Sequence, residues 1–380
     1  MSKFHLYKGF EVELFTGSCD SHIGVSADVE KNFSNFVKEP DNRNVEYITI
    51  PKKDYKLLQK QLLTPRKNLR QWLKNKGLTI IPSSTLCFKH DMQFQRSDIK
   101  NVYHQFIQDN YGISIATSSV HINIGIENLD KLFAAIRLIR SEAALYLSIS
   151  ASSPFLNNKI TENHSQRWIQ FPKTPSRVPF FVNHNSYIKW IDENIANKNM
   201  QNIRHFWSSI RPNGPQRPLI LDRLELRICD FIHDINLLLG VTAMLELRIL
   251  HLFDNINTLD PLTASIFSIE ELSEICDQNE INAAKDSLNS SLIHWQDGKK
   301  VICREWIQNL LSDLSFTAEK FDMKDLLKPI HTVLEEGNQS MKWINQYKKG
   351  LSIEQIMKIT IDDMIINEQE RFDYLNKHLI

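Results

Sequence analysis

A run in which every second residue is aliphatic and the residues between are charged or polar has one natural solution, a β-strand with one apolar and one wet face. Four segments of this chain follow that rule. In Phe10–Leu14, Phe10, Val12 and Leu14 share one face while Glu11 and Glu13 share the other. In Val120–Ile126, Val120, Ile122, Ile124 and Ile126 oppose His121, Asn123 and Gly125. In Ile220–Cys229, Ile220, Leu224, Leu226 and Ile228 oppose Arg223, Glu225 and Arg227, with Asp222 the one break on the apolar side. Asn44–Ile50 is less regular, setting Glu46 and Ile48 against Val45, Tyr47 and Thr49.

Any one of these strands fits an antiparallel sheet with a solvated face. Their polar residues together suggest more. Glu11 and Glu13 stand about 7 Å apart on one strand face and repel each other. Glutamate is also a poor strand former, so a divalent cation between them is a physical reason for the pair. A hard cation such as Mg²⁺ takes oxygen ligands and is often completed by water and nucleotide phosphates. A histidine and arginines among the carboxylates suit a polyphosphate. Pattern alone leaves both readings open, a wet sheet face and a metal–phosphate site.

Strands are expected over Phe10–Phe15, Asn44–Ile50, Leu78–Pro82, Ser119–Ile126 and Leu219–Cys229. Helices are expected over Lys52–Lys74, Asp98–Asn110 and Asn128–Tyr146. Ser150–Pro218 holds seven prolines and reads as loops covering a site. From Ile235 the pattern is helical, over Ile235–Phe253, Ile269–Ser291, Val301–Lys328, Ile330–Tyr347 and Ile353–Leu379. The expected organisation is an α+β catalytic domain over residues 1–250, binding ATP and Mg²⁺ if the metal–phosphate reading holds. A helical carboxy-terminal region follows over 251–380, which can pack on the same domain.

Equal numbers of basic and acidic side chains, 45 of each, argue against nucleic acid or an anionic membrane as partner. No signal core is evident, and the apolar stretch around Leu237–Leu245 reads as too short to span a bilayer. Five scattered cysteines fit reduced thiols, so a cytoplasmic location is the default expectation. Cys19 and Cys229 read as small buried residues. His90, His104, His164, His184 and His205 lack metal-ligand spacing and read as structural or exposed.

Five stretches, in order, resemble glutamate–cysteine ligase family 2, a family of carboxylate–amine ligases, and its cyanobacterial type in particular. They are Gly9–Leu14, Glu46–Thr49, Ser119–Gly125, Ser150–Phe155 with Arg167 twelve residues on, and Leu224–Asp230. The resemblance implies a glutamine-synthetase-like α+β fold, its antiparallel sheet curved into a funnel and flanked by helices. It implies ATP as co-substrate and two or three Mg²⁺ ions. Glu11, Glu13, Glu46, His121 and Glu225 fall on metal positions, and Arg227 on a position contacting the transferred phosphate, with Glu225 beside it in catalysis. Asn123, Ser152 and Arg223 are implied nucleotide contacts; Arg167 and Arg211 are implied substrate contacts. Ser152 equally suits a turn cap. A further acidic residue upstream of Glu46 falls to Glu39 or Asp41. Val12 between the two glutamates departs from the family's more continuous acidic opening.

The reaction so implied joins the γ-carboxylate of glutamate to the amine of cysteine through a γ-glutamyl phosphate, the first step of glutathione biosynthesis. The partners would then be small molecules: glutamate, cysteine and ATP. Three alternatives stand beside it: the same chemistry on another amine, a nucleotide-binding relative without turnover, and an unrelated binding protein with wet strand faces.

Overall fold

The computed structural model describes residues 5–89 and 93–378. His90 and the expected helix end at Leu379 therefore lie outside the described residues. Seven strands form the main sheet: β1 (Lys8–Gly17), β2 (Phe36–Lys38), β3 (Asn44–Ile48), β4 (Thr79–Ile81), β5 (Val120–Gly125), β6 (Ile210–Asn213) and β7 (Arg223–Leu226). They run antiparallel in the order β2-β3-β1-β5-β7-β6, and β4 pairs with the far end of β1. The long β1 is central because it alone carries enough alternating residues to pair with three neighbours. The expected α+β class with a curved antiparallel sheet holds.

One sheet face makes the core. Val12, Leu14, Val45, Tyr47, Val120, Ile122, Ile124, Leu224 and Leu226 are fully buried there, each such aliphatic contributing about 1.5–3 kcal/mol of transfer free energy. Helices α1 (Tyr55–Lys74), α2 (Leu129–Ser141), α3 (Ala143–Ser150) and α5 (Ile235–Asp254) join the same hydrophobic cluster. Asp54 caps α1, accepting from the Leu57 amide at 2.8 Å, and Asn128 caps α2, accepting from the Lys131 amide at 2.9 Å. A buried ion pair, Lys8 Nζ to Glu246 Oε2 at 2.8 Å, ties the start of β1 to α5.

Helix α5 spans 20 residues and is long and apolar enough, by length and composition, to cross a membrane. The stretch is thus longer than the sequence reading allowed. It is apolar nearly all round because 78% of its most apolar window is buried inside the fold, as in a core helix. It also crosses residue 250, and its Leu238 and Leu247 share one cluster with Phe10 before it and Leu272 and Trp295 after it.

Several local expectations change. The loop-rich segment contains helix α4 (His184–Ala196), opened by a capping box of Asn183 and Ser186. The helix starting at Ile269 (α6, Ile269–Asp286) ends earlier than expected and gives way to a hairpin of Ser291–Ile293 with Lys300–Ile302. The expected helix Val301–Lys328 is broken at Asp322, where the backbone turns left-handed (φ 59°). The last helix, α7 (Ile353–His378), packs on α1. Cys19 is exposed; Cys229, behind β7, is buried.

Candidate active site

The register of the sheet gathers the polar residues. Glu13 pairs with Glu46, and Glu11 with His121. Asn123 pairs with Glu225, which pairs in turn with Arg211. One face of five adjacent strands thereby carries carboxylates, a histidine and arginines, while its apolar partners point into the core.

Two groups of side chains have the donors a hard cation takes. Glu11, Glu46 and His121 form one, and Glu13, Glu39 and Glu46 the other; within each, one ligand atom per residue lies within 4.8 Å of the rest. Glu39, just past the three-residue edge strand β2, thus stands where an acidic residue upstream of Glu46 was sought. Asp41 is spent elsewhere, on a buried pair with Arg43 (2.6 Å). Around these groups, His121 Nδ1 lies 3.1 Å from Glu11 Oε2, and Ser119 Oγ donates to Glu13 Oε2 at 2.7 Å.

Electrostatics divide the site. Burial and then the Glu13 charge push the Glu39 carboxyl up to about 8. Burial and then Glu39, Glu11 and Glu13 push Glu46 well above the usual carboxylate range. Those two groups fit Mg²⁺ chemically, since a dication between them removes the repulsion that holds protons on. Burial and Glu225 also press Glu11 upward, but His121 and Arg227 outweigh them and hold it below its ordinary value. Burial likewise opposes ionisation of Glu225, and Arg211, Arg227 and His121 overcome it and keep its carboxyl well below the usual range.

A pH dependence follows. Glu39 in the fold prefers its neutral form, so its contribution to metal-free stability is complete at acid pH. That contribution falls away between the ordinary carboxylate range and about pH 8. Mg²⁺ must displace that proton. Its affinity, measured by calorimetry, is expected to tighten as pH rises toward about 8 and Glu39 gives up its proton, by up to roughly tenfold per unit for each proton displaced. An affinity that does not change with pH would exclude Glu39 as a ligand.

Glu225 adjoins the first cation group, its Oε1 3.7 Å from His121 Nδ1. Arg211 holds it with a fork (Nε–Oε2 2.7 Å, Nη2–Oε1 3.1 Å), Asn213 donates at 2.7 Å, and Arg227 Nη1 donates to Oε1. Both oxygens of this expected metal ligand thus accept from cationic or amide donors, and it falls in neither cation group. Arg227 lies just past the end of β7. The amides of Arg227 and Ile228 both donate to the Ser209 carbonyl (2.8 and 3.1 Å), a β-bulge that re-aims the Arg227 side chain.

The structure also moves Ser152 and Arg167. Arg167 is buried, and its Nη1 and Nη2 donate to the carbonyls of Ile228 (3.0 Å) and Arg227 (3.1 Å). It clamps the bulge from behind, so its terminal nitrogens are committed to main chain and not to a substrate. Ser152 donates to the Phe231 carbonyl (2.9 Å), and its amide donates to Asp230 (2.9 Å). With its hydroxyl thus committed, it lines a separate cleft of about 820 Å³ beside Phe231 and His233.

Two cavities share Glu11. One, about 250 Å³, contains both cation groups and is walled by Arg204, Arg211, Arg217 and Arg227, with Tyr103 and Trp207. The other, about 740 Å³, is lined by Asn123, Arg223, Lys53, Lys131 and Tyr7. Asn123 links them, donating to Glu11 Oε1 (3.3 Å) and accepting from Arg223 Nε (3.2 Å). Sequence reasoning missed Arg204, Arg217, Tyr103 and Trp207. Arg217 and Trp207 lie on loops, Arg204 in a three-residue 3₁₀ turn and Tyr103 in a short helix, where no strand parity exists to read.

The fold and this face together define an α+β protein whose antiparallel sheet gathers carboxylates, a histidine and arginines on one side. Residues 8–364 match the model of glutamate–cysteine ligase family 2, and the chain belongs to that family. A Nocardia farcinica relative, provisionally assigned as a glutamate–cysteine ligase, is 23% identical over 264 residues. That match covers 69% of this chain and 65% of the relative, so the chain spans just under two thirds of it. A Gloeobacter violaceus relative with the same provisional assignment is 22% identical, with 79% of each chain covered. The fold is that of the Francisella tularensis glutamate–cysteine ligase solved with AMP (TM-score 0.74, 15% identity, 97% of this chain and 89% of that one). A bifunctional glutathione synthetase from Pasteurella multocida shares it too (TM-score 0.73, 13% identity, 97% and 53%).

Proposed function

We propose that this chain is an ATP-dependent carboxylate–amine ligase that joins the γ-carboxylate of glutamate to an amine, with cysteine the amine of first choice. The observation that carries the reading is the juxtaposition of two cation groups with the Glu225–Arg227 pair on one sheet face, in a chain of this family.

A carboxylate does not acylate an amine at neutral pH, because the departing group would be oxide. In the proposed reaction a γ-carboxylate oxygen attacks the terminal phosphorus of ATP, and ADP leaves. The amine nitrogen then attacks the acyl carbon, phosphate leaves, and the nitrogen loses a proton. Mg²⁺, held by Glu11, Glu46 and His121 and by Glu13, Glu39 and Glu46, would neutralise phosphate charge. Arg227, fixed by the bulge and by Glu225, presents its guanidinium to the moving phosphoryl group. Glu225 holds that guanidinium in place. Asn123 and Arg223 suit the nucleotide in the larger cavity, while the smaller cavity suits an amino acid.

ADP release with glutamate and a panel of amines tests the reading. ADP is expected only when an acid and an amine are both present, with cysteine among the best amines. Activity with every amine except cysteine would remove the thiol from the proposal. Mg·ATP binding with no substrate-dependent ADP release for any pair would remove the ligase reading itself.

A further inference from the structure

Four arginines wall the smaller cavity, and their donors are unequally spent. Arg211 gives Nε and Nη2 to Glu225 and Nη1 to the Phe206 carbonyl (2.7 Å). Arg227 is paired with Glu225 and lies 3.2 Å from His121 Nδ1. Arg204 sits at the exposed rim, its guanidinium 4.5 Å over the Tyr103 ring. Arg217 differs from all three. Its Nη2 donates to the Ile203 carbonyl (2.8 Å), but its Nη1 is buried with no hydrogen-bond partner among the described residues.

An unpaired guanidinium N–H out of reach of water is costly, and more so beside other cations. Burial, then Arg211, pushes the Arg217 pKa down to about 10. Glu225, the carboxylate acting on it, is already bound by two other arginines. Arg217 also lies in the connection between β6 and β7, residues 214–222. A side chain at Gly214 would put its Cβ 2.2 Å from the Ile220 carbonyl oxygen, so only glycine fits there. The Pro218 carbonyl lies 2.8 Å from His184 Nε2 on α4. The backbone that carries the unpaired donor is therefore constrained on both sides of Arg217.

We infer that Arg217 is the anchor for a substrate carboxylate, holding the α-carboxylate of an amino-acid substrate in the smaller cavity and setting the specificity for amino acids over simple acids and amines. This rests on the ligase reading of the same site. A cavity of about 250 Å³ is sized for an amino acid and not for a nucleotide, and Arg227, not Arg217, stands with the cation groups at the phosphate end. Either substrate has an α-carboxylate to offer, and paired analogues tell them apart.

The test uses the full chain with Mg·ATP. In Arg217→Ala the KM of the anchored amino acid is expected to rise roughly 10- to 150-fold, well beyond any fall in kcat, with the KM for Mg·ATP unmoved. Arg217→Lys should lie between. The parent chain should favour glutamate over 4-aminobutyrate, which lacks the α-carboxylate, or cysteine over cysteamine. Arg217→Ala should lose that preference for one pair, which names the substrate held. Unchanged KM values with both preferences intact, or a loss confined to kcat, would overturn the inference. Should Arg217→Ala not fold, the same KM and preference criteria apply to Arg217→Lys. Should the parent chain show no turnover, the ligase reading fails, and calorimetric binding of glutamate and of cysteine decides the anchor by itself. Binding weakened in the variant supports it, and equal binding, or none by the parent, overturns it.

Discussion

Replacing Arg227 with alanine is expected to lower the maximal rate of ADP release by about 10²–10³-fold, the scale for losing one fixed donor to charge that develops in a transition state. Mg·ATP should still bind, because every ligand of the two cation groups and the lining of the larger cavity remain in place. The effect is large because the residue is held from three sides. The bulge at Ser209 aims it, Arg167 clamps the carbonyls of Arg227 and Ile228, and Glu225 holds the guanidinium. Burial opposes its charge, but Glu225 and then Glu11 raise its pKa, so it stays cationic throughout the working range. Rates and nucleotide affinity measured on one preparation separate the two terms. A rate within a few-fold of the parent would remove Arg227 from the chemistry.

The second large effect concerns folding and is independent of turnover. Glu225→Gln removes the carboxylate that Arg211 and Arg227 both pair with and should cost about 3–5 kcal/mol in urea unfolding, as for other buried pairs broken on one side. Lys189 and Glu193 on the surface of α4 form an exposed pair, and Glu193→Gln is expected to cost less than about 0.5 kcal/mol. Because the Glu225 carboxyl sits well below its ordinary pKa, its stabilisation is full above the usual carboxylate range and is lost as pH falls through the folded value. Acidification should therefore narrow the gap between parent and variant. A variant as stable as the parent at neutral pH would mean the arginines find other partners.

Much of the site is legible in the chain because a strand has a period of two. Parity alone put Glu11, Glu13, Glu46, His121, Asn123, Glu225 and Arg227 on polar faces, and the structure places all seven on the same side of one sheet. Parity is silent outside strands, which is why Arg217 went unread, Arg204 was not placed in the site, and Glu39 and Asp41 could not be told apart. Glu39 follows a strand of three residues, too short to show a period, and its neighbours in space come from β1 and β3. Arg167 misled for a related reason. A guanidinium in a loop-rich segment suits a ligand or a carbonyl equally, and only the fold shows the carbonyls of Arg227 and Ile228 in front of it. The break at Asp322 likewise lies in a pattern that looks continuously helical.

The pair that opened the sequence, Glu11 and Glu13, shows where the division falls. Alternation by itself determined that both carboxylates share the face opposite the core, since shifting either would bury a charge among Phe10, Val12 and Leu14. What each carboxylate does was decided by register and burial, which depend on residues far from it along the chain. Pairing with β5 gave Glu11 the His121 ring, and Arg227 just past β7 helps hold it ionised. Pairing with β3 set Glu13 against Glu46, and the Phe36–Lys38 edge brought Glu39 beside them, where crowding and desolvation keep a proton in place of a cation.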